Sequence, residues 1–280
     1  MTYGTLVRLS VIVVVGLLLY FAGVRGAYLG AGAMSIAVLC EAIATRIMVS
    51  KTLKEILQRE DTENGDLRLR GIARFYFPLA LTSILSLGVH PFVTFFLGRS
   101  HMAVESLAVL PVVNSLVFIF RSLGLSYQEV TIALIGKEKQ NYNILKNFAV
   151  YLGIMVTVLI SVLAFTPLAH LWFRDVSGLT EELADLSYLP LKIMILLPAL
   201  TVLLNFQRSN LIINGTTGPI SMATAIELSG IIVVLLTCVV FLNLTGVVAA
   251  SLAYMVGRGM SNIYLVPKQA AAVRGWHIKS

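Results

Sequence analysis

The chain has 280 residues, of which 58% are hydrophobic and 12% are charged, and its formal net charge is +7. With a mean hydropathy of +0.87, it has too little polar surface to form a water-soluble globular domain. The positive residues lie in short intervals between apolar runs. This pattern is typical of membrane proteins and excludes a soluble basic face that binds nucleic acid.

Eight apolar runs of membrane-spanning length follow one another along the chain. About 20 apolar residues cross the hydrocarbon core as a helix, and these runs are far longer than the alternating segments of a barrel strand. They predict an all-α fold, a polytopic bundle of about eight transmembrane helices in the lipid bilayer. The predicted spans are 5–24, 26–48, 72–98, 104–135, 147–173, 185–213, 218–242 and 245–266.

The basic residues predict the orientation of these spans. Lys and Arg are concentrated in residues 51–74, 137–146 and 268–279, whereas residues 174–185 are mainly acidic. Because short loops rich in Lys and Arg stay in the cytoplasm, the three basic intervals are predicted to be cytoplasmic and the acidic segment external. The expected protein is therefore a multi-pass protein of the inner or plasma membrane with both termini in the cytoplasm.

The second and eighth spans resemble each other in sequence, with Gly30 aligned on Gly246 and Ser35 on Ser251. Transporters are commonly built from repeated bundles. Such a repeat would divide the chain into the last two helices of an incomplete N-terminal lobe (1–50), a cytoplasmic connector (51–71), a complete six-helix lobe (72–268) and a cytoplasmic tail (269–280). The alternative is that 51–71 is only a solvated loop.

Several stretches of the chain resemble a known group of transporters. They are Gly30–Ala37, Gly124–Gly136 with the following Lys137–Lys146, and Leu211–Gly218. On these stretches the chain resembles the multidrug/oligosaccharidyl-lipid/polysaccharide exporter superfamily, which includes the multidrug and toxin extrusion transporters. Four further segments look most like the progressive ankylosis protein branch: Phe77–Leu81, Pro91–Arg99, Glu105–Val112 and Pro190–Ile193.

This resemblance implies two six-helix lobes and export by alternating access. Members of the superfamily have at least twelve helices, so the chain would lack part of an N-terminal lobe, which an upstream segment, a partner chain or self-association would supply. The drug-exporting relatives couple to protons or sodium through carboxylates in that lobe or in the first helix of the second lobe. Because the third span has no acidic residue between Phe75 and Leu97, coupling of that kind is not expected here.

Polar residues at membrane depth are the candidate binding residues, since charges there are costly and need a partner or a wet cavity. On the fourth span, Asn114, Arg121 and Gln128 recur every seven residues, with Glu129 beside the last of them. This spacing predicts a polar helix face. Arg121 would hold an anionic group of the small-molecule substrate in a bidentate manner. Alternatively, it pairs with Glu129 or Glu105, or lies near the cytoplasmic interface.

The sixth span carries a second polar group, which includes Asn205 and Arg208. Helix capping and interface anchoring are the simpler interpretation, because the group lies near the end of the span. The functional alternative is that Asn205 and Arg208 face a central cavity from the side opposite the fourth span.

Four residues are candidates for coupling or for a hinge. His90 precedes Pro91 within the third span, where proline bends a helix and a histidine near neutral pKa could carry a proton. Glu41 and Glu227 are single intramembrane carboxylates. A pair between a glutamate and Arg258 that holds the bundle together is the simpler interpretation, and a carboxylate that couples to a proton or sodium ion is the alternative.

The sequence contains no catalytic constellation, metal-ligand spacing or nucleotide-binding motif, so neither an enzyme nor a cofactor or metal site is expected. The predicted function is secondary active export or antiport of small organic molecules, either anionic or phosphate-bearing metabolites or drugs. A lipid-linked saccharide flippase is an alternative. A non-transporting membrane subunit or degenerate fragment is another, in which the polar residues only hold helices together.

Overall fold

The computed structural model of the chain describes residues 2–57, 69–135 and 141–277. Within these ranges the regular structure is helical. Seven helical spans are long and apolar enough to cross a membrane, which confirms the predicted all-α polytopic bundle and makes this a multi-pass membrane protein.

Ten α-helices make up the described residues, and several of them join into longer spans. They are α1 Thr2–Phe21, α2 Gly26–Leu57, α3 Leu69–Leu97, α4 Ala103–Leu134, α5 Tyr142–Phe165, α6 Leu168–His170, α7 Glu181–Ile193, α8 Leu197–Ile213, α9 Gly218–Leu236 and α10 Gly246–His277. A 3₁₀ turn, Met194–Leu196, connects α7 to α8, so that these helices form one span. A π-helical turn, Leu171–Val176, follows α6, and another, Thr237–Phe241, extends α9.

The fifth helix ends at Phe165, eight residues before the predicted end of its span. Thr166 is extended, with φ −116° and ψ 168°, because the ring of the following Pro167 disfavours the helical conformation in the residue before it. The sequence prediction followed the apolar run through this proline and was therefore too long.

The eighth predicted span is also helical, but α10 is longer than expected. It continues to His277, so most of the predicted tail from residue 269 is helix, and three consecutive alanines from Ala270 favour this extension. Because α10 carries polar residues such as Arg258 and Asn262, it is less apolar than the other seven spans.

Parts of three predicted segments lie outside the described residues. Of the predicted connector 51–71, α2 includes the residues up to Leu57 and α3 those from Leu69 onward, and residues 58–68 are not described. Lys137, Lys139 and the last three residues of the predicted tail also fall outside the described ranges.

The chain divides into two compact units, Met1–Asp66 and Leu67–Ser280. In the first unit, α1 and α2 pack against each other across a tight turn in which Gly23 has a φ of +72°. Ala33 and Ala37 are the buried residues of α2 in this contact. Arg8 of α1 and Glu41 of α2 form a salt bridge of 3.4 Å, so each of these intramembrane charges has a partner within the unit.

The second unit has an apolar core to which α3, α4, α5, α7, α9 and α10 contribute. Beside this core, α4 and α8 approach closely at Gly124. A Cβ at this position would lie 3.0 Å from the backbone nitrogen of Val202. The missing side chain therefore sets the distance between the two helices.

A second close approach joins α9 and α10. A Cβ at Gly257 would lie 2.7 Å from Cγ1 of Ile231 and 2.9 Å from the carbonyl oxygen of Glu227. This contact brings the backbone next to Arg258 against the turn of α9 that carries Glu227. The small residue thus positions two oppositely charged side chains.

Candidate functional site

A cavity of about 700 Å³ lies within the second unit, between α3, α4, α8, α9 and α10. Apolar residues make up much of its wall, including Val93, Leu97, Leu110 and Ile231. The charged residues of its wall are three arginines and one glutamate, apart from His90: Arg121 on α4, Arg208 on α8, Arg258 on α10 and Glu227 on α9.

Glu227 is the electrostatic centre of this group. Its Oε1 atom lies 2.9 Å from Nη2 of Arg258, and both side chains are largely buried. The structure thus contains the glutamate–arginine pair that the sequence favoured. Glu227 also attracts Arg121 and Arg208, whereas Arg258 repels both of them, so the three guanidinium groups share one carboxylate.

Hydrogen bonds fix the polar side chains around the cavity. Nη2 of Arg208 donates to Oγ1 of Thr224 over 2.8 Å. Nδ2 of Asn205 donates to the carbonyl oxygen of Gly124 over 3.0 Å, which ties α8 to α4. The side chain of Asn114 hydrogen-bonds the hydroxyl group of Tyr254. These contacts hold Arg208 and the cavity face of α4 in place.

Each of the three arginines nevertheless keeps an unused donor. The Nε atoms of Arg121, Arg208 and Arg258 are buried and have no hydrogen-bond partner among the described residues. A buried donor without an acceptor is unfavourable. The wall therefore presents an excess of positive charge to an acceptor in the cavity, because three guanidinium groups lie there with one carboxylate.

The structure brings six of the residues singled out from the sequence into the lining of this cavity: His90, Asn114, Arg121, Asn205, Arg208 and Glu227. They come from α3, α4, α8 and α9. Asn205 and Arg208 had capping or anchoring as their simpler interpretation, but both lie well before the end of α8 and face the cavity.

Four other candidates do not lie in the lining of this cavity. The backbone oxygen of Gln128 accepts a hydrogen bond from Ser209 of α8, and Glu129 is exposed. Pro91 lies within α3 but is exposed, next to the lining residue His90. Glu41 belongs to the first unit and pairs with Arg8. Arg121 pairs with neither of the glutamates proposed for it, since the salt bridges of the described residues do not include it.

Sequence reasoning did not assign most other residues of the lining to a binding site, among them Thr224, Tyr254 and Arg258. Arg258 was recognised only as a partner for a glutamate. Tyr254 and Arg258 are four residues apart on one helix face, which is the signal that could have placed them together. Thr224 carries no such signal, because a threonine at this position is also a normal neighbour in apolar helix packing.

The chemistry available in this cavity is the binding of an anion. Guanidinium groups form short, charge-assisted hydrogen bonds with phosphate and carboxylate oxygens. Among the described residues, no three histidine, cysteine, aspartate or glutamate side chains meet in a group suited to a metal ion. The electrostatics of the wall instead favour a negatively charged organic or phosphate group.

Comparison with known proteins finds no relative of this chain: neither a family model, nor a curated protein, nor a solved structure matches it.

Proposed function

We propose that the chain is a secondary active transporter of small anionic molecules, either organic acids or phosphate compounds, that works by alternating access. The observation that carries the proposal is the wall of the cavity in the second unit, where Arg121, Arg208 and Arg258 face a single carboxylate, Glu227.

The excess of positive charge supports an anionic substrate. A charged side chain inside a membrane protein costs several kcal/mol unless a partner or water compensates it, so such residues generally serve a site or pair internally. Arg258 has an internal partner in Glu227. Arg121 and Arg208 have none of comparable proximity among the described residues, and a bound anion would compensate them.

The size of the cavity and its residues support a small molecule. Its volume of about 700 Å³ lies in the range of small-molecule sites, roughly 300–1,000 Å³. The apolar wall would contact the carbon skeleton of an organic anion. The guanidinium groups of the wall would bind its oxygen atoms, and Asn114 and Asn205 border the same space.

A transport cycle also needs a coupling ion, and two side chains of the cavity are candidates for proton linkage. Protonation of Glu227 would remove the negative partner of Arg258, so that the arginines of the wall would attract an anion more strongly. Protonation of His90 would add a positive charge to the same wall. Sodium coupling is the alternative.

The sequence resemblance to exporters supports the same function. In that arrangement both termini would be cytoplasmic and Pro91 would act as a hinge of α3, as the positive-inside distribution and the proline position favour. The resemblance to the progressive ankylosis branch, which is associated with pyrophosphate export, makes pyrophosphate the first substrate to test.

The test is uptake by the purified full-length protein in liposomes, measured with radiolabelled pyrophosphate, citrate and the lipophilic cation tetraphenylphosphonium. We expect uptake of at least one anion and none of the cation. Arg121→Gln and Arg208→Gln should each weaken the apparent affinity for that anion about tenfold, since each removes charge-assisted hydrogen bonds. Arg174→Gln is the matched control, because Arg174 lies outside the cavity wall and pairs with Glu181.

Three results would count against the proposal. Uptake of the cation alone would exclude an anion site. Equal effects of all three arginine substitutions would show that the cavity arginines have no special role. Anion binding without uptake in any imposed ion gradient would favour a non-transporting subunit.

A further inference from the structure

A second concave surface, here called the lateral groove, lies between α5, α8 and α10 and has a volume of about 690 Å³. It is separate from the cavity, because opposite faces of α8 line the two spaces. Leu203 and Phe206 face the lateral groove, whereas Asn205 and Arg208 face the cavity.

The lining of the lateral groove is apolar along most of its length. Small residues, Ala149 and Gly153 on α5 and Ala199 on α8, form its floor, and a Cβ at Gly153 would lie 3.7 Å from that of Ala199. Exposed apolar side chains such as Val150 and Val266 form its sides. In a membrane-spanning bundle such a surface is covered by hydrocarbon rather than by water.

One end of the lateral groove is polar. Lys146 lies there in the second turn of α5, exposed, and among the described residues it has no salt-bridge partner. Tyr142 and Gln269 border the same end and hydrogen-bond each other through their side chains. Lys and Tyr near the end of a spanning helix are typical of the level of the lipid headgroups.

The part of the lateral groove beyond Lys146 is about as long as one leaflet of a bilayer is thick. The last lining residue of α5 is Val158, and a helix rises 1.5 Å per residue, so the groove extends about 18 Å from Lys146 to Val158. Half of a hydrocarbon core is about 15 Å thick. A molecule whose headgroup is at Lys146 would thus end its chain near the bilayer centre.

The charge at the polar end of the lateral groove indicates the chemistry of its occupant. The apolar residues along α5 and α8 would contact an acyl chain. The charge of Lys146, with Lys268 and Arg274 on the same end of α10, is complementary to a phosphate group.

We propose that the lateral groove binds an anionic glycerophospholipid, whose phosphate contacts Lys146 and whose acyl chain lies along α5 and α8. The site is independent of the function proposed for the cavity. It would be occupied whether or not the chain transports anions.

The test is native mass spectrometry of the purified full-length protein with phosphatidylglycerol or phosphatidylcholine of identical acyl chains. We expect phosphatidylglycerol to bind in preference to phosphatidylcholine. Lys146→Gln should reduce that preference about fivefold, because one lysine near an anionic headgroup contributes about that factor. Lys192→Gln is the matched control, since Lys192 is an exposed lysine outside the lateral groove.

A second substitution tests the acyl-chain part of the site. Ala270→Phe places a large side chain in the lateral groove from the exposed side of α10 and should reduce the binding of both lipids. If this variant does not fold, Val150→Phe fills the groove from α5 instead. An unchanged headgroup preference in Lys146→Gln would overturn the proposal. Unchanged lipid binding in the filled groove would also overturn it. So would a result in which the filled groove abolishes a dimer of the chain but leaves lipid binding intact, because a second copy would then be the occupant.

Discussion

At the level of single residues, Glu227 decides the charge balance of the cavity. Its carboxylate lies 2.9 Å from Arg258 and attracts Arg121 and Arg208 as well. Removing one partner of a buried ion pair leaves an uncompensated charge, and here it would leave three guanidinium groups that repel one another.

We therefore predict two opposite effects of Glu227→Gln. The unliganded protein should lose about 3 kcal/mol of unfolding free energy, because Arg258 loses its partner. Pyrophosphate should then stabilise the variant more than it stabilises the wild type, since an anion replaces the missing carboxylate. Thermal unfolding in detergent, with and without pyrophosphate, measures both effects.

Two further variants control this experiment. Glu105→Gln removes a carboxylate from α4 outside the cavity wall and should leave the pyrophosphate shift unchanged. The double variant Glu227→Gln with Arg258→Gln should recover part of the lost stability, because it removes both charges of the pair. If pyrophosphate raises the unfolding temperature of Glu227→Gln no more than that of the wild type, Glu227 does not compete with an anion.

The sequence could predict the polar face of α4 only in part. Residues seven apart stay on one face approximately, because an α-helix has 3.6 residues per turn and the face drifts about 20° every seven residues. Asn114 and Arg121 line the cavity, but Gln128 is not among the lining residues. Which polar residues of α9 and α10 complete the wall depends on how the helices pack, and single-helix periodicity contains no information about that.

At the level of helices, glycine contacts determine the spacing of the cavity wall. Gly124 on α4 meets Val202 on α8, and the same two helices share the hydrogen bond from Asn205 to Gly124. A side chain at Gly124 would separate α4 from α8 and break that bond.

Gly124→Ala is therefore expected to destabilise the bundle by about 1–3 kcal/mol, the usual cost of forcing an extra carbon into a packed contact. Since the new Cβ would lie 3.0 Å from backbone nitrogen, Val202→Ala should rescue the variant only partly. Thermal unfolding monitored by circular dichroism tests this. Gly88→Ala is the matched control, because a Cβ there meets nothing within 4 Å, and a comparable loss in both variants would show that the α4–α8 contact is not special.

The helices themselves follow directly from the apolar runs of the sequence, whereas their ends do not. Pro167 ends α5 in the middle of an apolar run, and α10 continues through polar residues to His277. Local backbone preferences, rather than hydropathy, determine both ends. The ring of Pro167 ends α5, and the alanines from Ala270 onward favour the continuation of α10.

At the level of the whole molecule, the distribution of charge predicts the orientation of the bundle. The segment from the end of α6 to the first residue of α7 includes Asp175 and Glu181, whereas α10 and the residues after it include Lys268, Arg274 and Lys279. Basic segments are retained in the cytoplasm, and acidic segments contribute little.

This distribution gives a prediction for cysteine labelling in a variant whose native Cys40 and Cys238 are replaced by serine. A membrane-impermeant maleimide should label Thr180→Cys in intact cells, since Thr180 is exposed and its side chain caps no helix. Ser280→Cys should be labelled only after the cells are permeabilised. Labelling of both sites from outside, or the reverse pattern, would contradict the predicted orientation.

The walls of the cavity differ in how firmly they are held. Hydrogen bonds connect α8 to α4 and to α10. The salt bridge between Glu227 and Arg258 and the close contact at Gly257 connect α9 to α10. Among the described residues, the side chains of Ser86–Leu97 on α3 make no hydrogen bond to another helix, although they form one side of the cavity.

The part of the cavity wall that can move most easily is therefore the segment Ser86–Leu97 of α3. Apolar contacts such as those of Val93 and Leu97 have no preferred direction, so the segment Ser86–Leu97 of α3 can tilt against its neighbours without breaking a polar bond. The preceding part of α3 is held to α9, because the hydroxyl group of Ser221 donates to the backbone oxygen of Pro78 and accepts from Thr82. His90 moves with the segment Ser86–Leu97. A displacement of this segment changes the width of the cavity and the distance of this imidazole from the arginines at the same time, which links the shape of the space to its electrostatic potential.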